Sequence, residues 1–170
     1  AAFFFFSFLL DEHGKDEYYC RRYGQGFGGT EGLALLIDLR GDDLYRGGSE
    51  VNASGSFVQG SAKGRWGQAS DGLNLAGGAG ILIDGRGTDI YQSNTFSQGA
   101  TYYQGFGFLF DQLGDDHYLA ESHSQASASH FGIGSLLDFS GNDTFNLQIP
   151  KEKLSQSLAY ARDFSLASLV

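Results

Sequence analysis

Four pairs of aspartates share one spacing. Asp38 and Asp43, Asp84 and Asp89, Asp111 and Asp116, and Asp138 and Asp143 each lie five residues apart, with Gly41, Gly87, Gly114 or Gly141 between them. A further copy begins at Asp11. Carboxylates repeated on glycine turns suit two kinds of chemistry. Calcium is held by six to eight oxygens, which stacked carboxylates and turn carbonyls would supply. Alternatively, each aspartate accepts hydrogen bonds from turn amides and fixes a corner, while glycine takes the left-handed conformation. Two aspartate columns in register set like charges about 5 Å apart, which is unfavourable without a cation or screening. The sequence leaves both readings open: calcium, or no cofactor.

A second candidate site lies where the repeat is broken. Lys63-Gly64-Arg65-Trp66-Gly67-Gln68 gathers the lone tryptophan and two cations in an insertion, and loops inserted into repeat proteins often carry binding. Trp66 and Arg65 are therefore candidate ligand contacts, and the alternative is a tryptophan folded back on the flank. Constellations for catalysis are poor. His13, His117, His123 and His130 have no metal-ligand spacing, and neither a nucleophile elbow nor a phosphate loop is present. Paired carboxylates could act as acid and base on a polysaccharide, but catalysis needs one asymmetric site and these recur identically. The reading is that the chain is not an enzyme.

The elements that position these residues follow from the repeat itself. The first aspartates Asp11, Asp38, Asp84, Asp111 and Asp138 are 27, 46, 27 and 27 residues apart. Two residues before each stands Leu9, Leu36, Leu82, Leu109 or Leu136, and seven after stands Tyr18, Tyr45, Tyr91, Tyr118 or Phe145. Gln25, Gln59, Gln98 and Gln125 follow. A fixed period in this range marks stacked units that cannot bury their apolar faces alone. Segments such as Phe106–Phe110 are short, rich in β-formers and bounded by glycine. The prediction is an all-β parallel β-solenoid, or β-helix, of about five to six rungs with a 27-residue repeat. It forms one domain over 1–170, with loop insertions near 46–58 and 61–78 and a partial last rung or cap over 151–170. The aromatic column is read as an internal ladder rather than an exposed platform for sugars.

The bulk composition bounds the partners. Net charge is −9, from 11 basic and 20 acidic residues, which disfavours nucleic acid and anionic membranes. Cys20 is the only cysteine, so no intrachain disulfide forms, and a buried structural thiol is the expected reading. The opening AAFFFFSFLL lacks a basic leader and is too short to span a bilayer, so it reads as a strand.

The pattern Leu-x-Asp-x-x-Gly-(Asp/Asn)-Asp-x-Tyr followed by Ser-Gln-Gly, over about residues 6–148, resembles tandem repeats of uncharacterised bacterial proteins. The resemblance implies a β-solenoid and an exported location, and points to no known activity. Gly141-Asn142-Asp143-Thr144-Phe145 is also similar to half of the RTX calcium-binding nonapeptide, although aspartate replaces its first glycine and the copies are not in tandem.

These readings lead to one functional expectation: a structural protein outside the cell or on its surface, which self-associates by end-to-end rung stacking into a fibre or layer. The partner is then the chain itself, head to tail, with no nucleic acid and no membrane insertion. The alternative is a calcium-stabilised adhesin or carbohydrate-binding module, with a polysaccharide as partner.

Overall fold

The computed structural model describes residues 1–48, 55–67, 72–147 and 156–170. Every named strand lies in one of three sheets, all of them parallel. The first sheet contains β1 (Phe6–Asp11), β3 (Leu33–Asp38), β6 (Ala79–Asp84), β9 (Phe106–Asp111), β12 (Ile133–Asp138) and β15 (Leu166–Leu169), stacked in chain order. The second stacks β2 (Glu17–Cys20), β4 (Leu44–Gly47), β7 (Ile90–Gln92), β10 (His117–Ala120) and β13 (Thr144–Leu147). The third stacks β5 (Ala62–Lys63), β8 (Thr101–Tyr102), β11 (Ala128–Ser129) and β14 (Ala161–Arg162). Strands that follow one another along the chain belong to different sheets, and each pairs with its counterpart one coil away. This is the all-β parallel solenoid.

Register is set by the sequence columns. Leu36 pairs with Leu82 and Asp38 with Asp84, while Leu109 pairs with Leu136 and Asp111 with Asp138. Like residues therefore stack. The leucines and tyrosines point inward: Leu82, Leu109, Leu136, Tyr45, Tyr91 and Tyr118 are fully buried and form one core. The tyrosine rings lie nearly parallel, with centroids 4.8 Å apart from Tyr45 to Tyr91 and from Tyr91 to Tyr118. That is the strand spacing of a sheet, so the aromatic column is an internal ladder.

A second ladder holds the next corner. Gln98 Nε2 donates to the carbonyl of Tyr91 in its own coil (2.9 Å) and to that of Leu119 in the next (3.1 Å). Gln25 and Gln59 repeat the arrangement. These glutamines carry positive φ, and Gly26, Gly60 and Gly99 continue the left-handed turn. A Cβ on Gly60 would stand 2.0 Å from the Phe108 carbonyl oxygen, so the close approach needs glycine as much as the dihedral does.

Two details refine the sequence reading. The insertion expected over 61–78 leaves the coil later, because Ala62 and Lys63 stay in the third sheet opposite Thr101 and Tyr102. Its two ends are then pinched by an antiparallel bridge, Arg65 to Leu75, with both amides bonded at 2.9 Å. At the C-terminal side β14 and β15 extend two sheets as strands, with Asp138 N–H bonded to the Val170 carbonyl. Residues 49–54 and 68–71 of the expected insertions, and 148–155 of the last stretch, lie outside the described residues.

Candidate cation sites and an aromatic groove

The strands β1, β3, β6, β9 and β12 of the first sheet each end on an aspartate at the corner before the second sheet. Asp38, Asp84 and Asp111 have no exposed surface, nor have Asp89 and Asp116, and Asp43 is 2% exposed. Of the first aspartates of the coils, Asp38 and Asp84 are each held by two donors, whereas Asp111 and Asp138 are held, among the described residues, by a tyrosine hydroxyl alone. Asp84 Oδ2 accepts the Tyr45 hydroxyl of the preceding coil at 2.6 Å, and Oδ1 accepts the Arg86 amide at 3.1 Å. The second aspartate is held by one. Asp89 Oδ1 accepts the Asp43 amide at 2.6 Å, and Asp116 Oδ1 accepts the Asp89 amide at 2.7 Å. The tyrosine hydroxyls and the amides of the second aspartates thus reach forward along the rod, each to a carboxylate of the following coil.

Glycine makes this corner tight. A Cβ on Gly114 would meet the Gly87 carbonyl oxygen at 2.0 Å and an Asp116 carboxylate oxygen at 2.6 Å. Gly87 and Gly141 are in the same position. The Gly column is therefore required by packing of coil on coil.

Some buried carboxylate oxygens are left over. Asp43 Oδ2, Asp89 Oδ2, Asp116 Oδ2, Asp111 Oδ1 and Asp138 Oδ1 are buried and have no hydrogen-bond partner. Around them the carboxylates converge in trios: Asp38, Asp43 and Asp84; Asp84, Asp89 and Asp111; Asp116, Asp138 and Asp143. In each trio one oxygen per residue lies within 4.8 Å of the others. Two ligands facing each other across a calcium ion stand about 4.6–5.2 Å apart, so the trios have the dimensions of such a site.

Electrostatics agree with the geometry. Burial pushes the Asp89 carboxyl up to about 9, with the neighbouring Asp84 charge adding to it. Burial and the Asp111 charge raise Asp116 to about 8. Asp84 rises to about 7, and Asp43 and Asp138 to about 6, burial being the largest cause in each. Several buried carboxylates this close cannot all carry charge unaided. Either a proton is shared within a pair, the orphan oxygen of one aspartate donating to its neighbour, or a cation replaces that proton.

All eight aspartates singled out from the sequence belong to the trios. The sequence reading missed Asp11 and Asp16, which form a further trio with Asp38. Their copy of the motif was visible, and only its end position set it apart.

Trp66 and Arg65 lie elsewhere, on the flank beside the third sheet. They line a groove of about 820 Å³ together with Tyr23, Phe57, Phe96 and His123. The Trp66 ring stacks on Tyr103 (centroids 5.6 Å apart) and meets the His130 ring edge-on at 3.9 Å. It is also 40% exposed, so it packs on the flank and lines the groove at once. Opposite it runs an aromatic stack, Phe57 on Phe96 at 4.8 Å and Phe96 on His123 at 4.5 Å. Lys63 Nζ sits 5.0 Å from the Phe57 ring centroid. Tyr23, Phe57, Phe96 and His123 all have positive φ, uncommon for bulky residues and found at ligand clamps. Sequence reading missed this stack, although each member stands two residues before a ladder glutamine. The groove can stack a planar ring or a sugar face against aromatic walls with cations nearby. Cys20 is only partly buried, and its thiol donates to the Arg22 carbonyl at 3.1 Å.

The chain matches no family model, and comparison with curated proteins and with solved structures also gives no match. No described helix is long and apolar enough to cross a membrane.

Proposed function

We propose that this chain is a structural β-solenoid module that works outside the cytoplasm, with calcium ions bound between its coils in place of shared protons. The observation that carries this reading is the trio Asp84, Asp89 and Asp111. All three are fully buried, their oxygens converge within 4.8 Å, and Asp89 Oδ2 and Asp111 Oδ1 lack partners. Hard oxygen donors without nitrogen or sulfur suit calcium rather than zinc or copper. Calcium sites of extracellular modules fill at millimolar metal, so a compartment outside the cell suits this reading. The ion would join successive coils, so the module would be a rod stiffened along its axis.

Calorimetric titration of chelator-treated chain with calcium at neutral pH tests the proposal. Binding should occur at several sites and release protons, because each ion displaces one that a raised carboxyl holds. A chain whose melting temperature and heat signal are indifferent to calcium would overturn it.

A second reading adds end-to-end self-association into a fibre or layer. It is supported by the stacking itself, because like residues pair in register from coil to coil and one more rung would continue the same columns. Electron micrographs in excess chelator test it: filaments are expected, and separate particles at high concentration overturn it. The groove beside Trp66 supports saccharide binding as an adhesin function of the same rod, since aromatic walls suit sugar faces.

A further inference from the structure

The outer face of the six-stranded sheet is apolar almost throughout. The strands β1, β3, β6, β9 and β12 each turn three positions outward, alternating with the leucine column, and β15 turns Leu166 and Ser168 outward with Val170 next in line beyond its end. Of the eighteen outward positions, sixteen hold Ala, Val, Leu, Ile or Phe, and none is charged. The exceptions are Ser135 and Ser168. Polar and charged side chains stand on the second sheet instead, where Arg46 and Glu17 pair at 3.1 Å. An uncharged, apolar face of this kind on a parallel sheet marks an interaction surface.

Its relief is self-complementary. The middle outward column reads Phe8, Leu35, Ile81, Phe108, Ser135 and Ser168 along the rod. In β9 the three outward positions are Phe106, Phe108 and Phe110, whose rings stack along the strand in a ridge. In the neighbouring β6 they are the smaller Ala79, Ile81 and Ile83. Place two copies face to face with their rods antiparallel, about a two-fold axis along the strands. Phe8 then faces Ser168, Leu35 faces Ser135, and the ridge of β9 faces the shallow row of β6. Rods placed parallel would set ridge on ridge and leave Ser168 opposite itself. We infer that this face pairs with a second copy of the chain, with the two rods antiparallel.

The area supports a weak to moderate dimer. Six strands at about 4.8 Å, each presenting about 20 Å of length, give roughly 500–600 Å² on each copy, or about 1,000–1,200 Å² in total. That reaches the lower range of specific interfaces. The net charge of −9 separates this occupant from an anionic membrane, which a face without cations does not attract. Between two copies, by contrast, the uncharged face lets like-charged molecules approach with their carboxylates turned away.

Sedimentation equilibrium and small-angle scattering of the chain, with and without Ile81→Lys, test the inference. Expected is a closed monomer–dimer equilibrium whose dimer is thicker than the monomer but not longer, and whose affinity Ile81→Lys lowers at least tenfold. The circular dichroism melt should stay close to that of the parent. An open series of species that lengthen along the rod and ignore Ile81→Lys would overturn lateral pairing while leaving end-to-end stacking intact. A closed dimer insensitive to Ile81→Lys, or a monomer at all concentrations, would overturn it as well. So would a monomer that co-sediments with neutral phosphatidylcholine vesicles, which would assign the face to lipid. Orientation is read separately and does not depend on that variant. Chains carrying Cys20→Ser with either Ile81→Cys or Phe108→Cys are mixed and treated with a short bis-maleimide. Antiparallel rods give the mixed product, whereas a Phe108→Cys homodimer as main product would overturn the orientation.

Discussion

Tyr91 donates its hydroxyl proton to Asp111 Oδ2 of the following coil at 2.6 Å, and both side chains are fully buried. The same link runs from Tyr18 to Asp38, Tyr45 to Asp84 and Tyr118 to Asp138. The aromatic ladder and the carboxylate column are thus one device, in which each of these tyrosine rings is stacked on its neighbours and tied to the next coil. Burial and the nearby aspartate charges hold the Tyr91 hydroxyl far above its usual range, so it stays a donor.

Tyr91→Phe keeps the stack and removes only the donor, leaving Asp111 Oδ2 buried without a partner. The expected loss is about 2 kcal/mol, the scale for a hydrogen bond to a charged acceptor, or roughly 4–8 °C in melting temperature. A melt identical to the parent would show that the link contributes nothing.

Stability of the calcium-free chain should fall as pH rises. Asp89 and Asp116 are raised to about 9 and about 8, while in the unfolded chain they titrate near the ordinary value. Between those limits the folded chain binds more protons than the unfolded one, so raising pH destabilises it. Each such group adds to this dependence in the same direction. The full stabilisation is present at about pH 4 and is lost through about pH 8–9. Saturating calcium should flatten this dependence. Thermal melts across that range, in chelator and in calcium, check both parts.

Asp89→Asn separates protons from calcium. The amide is neutral and nearly isosteric, so it removes the titration of that carboxyl without opening a cavity. In chelator at pH 9 the variant should melt above the parent, and in calcium below it. A variant that loses stability equally in both media would instead mark Asp89 as a plain turn residue.

Gly114→Ala should be costly in spite of its size. The added methyl meets the Gly87 carbonyl oxygen at 2.0 Å, so the two coils must separate locally. Overpacking of this kind costs about 1–3 kcal/mol. Gly72 has open space around its Cβ position, but its φ of +65° makes it a control for dihedral strain alone. Denaturant unfolding of both variants separates the two effects.

Binding in the groove should be visible through Trp66, the lone tryptophan. Titration with an acidic oligosaccharide is expected to shift its fluorescence, and Phe96→Ala should weaken the response by removing the stacking wall. An unchanged spectrum would leave the groove without a saccharide role.

The coil was legible in the chain alone. Leucine, aspartate, tyrosine and glutamine recur at fixed offsets, and in a parallel stack identical offsets must lie side by side, so the columns named the ladders and their register. Their burial followed too, since Leu82 or Tyr91 cannot repeat so regularly for any solvent reason. Other features were decided only by tertiary structure. The run Leu35-Leu36-Ile37 is apolar at every position, the pattern of a strand covered on both faces, and only the fold shows that Leu36 points inward while its neighbours point out. Pairing of Tyr91 with Asp111 of the next coil, rather than with Asp84 of its own, is set by how the coils stack in space. The groove brings Trp66 against Tyr103 and His130, and carries Tyr23, Phe57, Phe96 and His123 in left-handed backbone, which local propensity does not foretell. Offsets along the chain fix which residues share a column. Which side of the wall a column faces, and which coil it grips, is fixed only when the chain closes around a core.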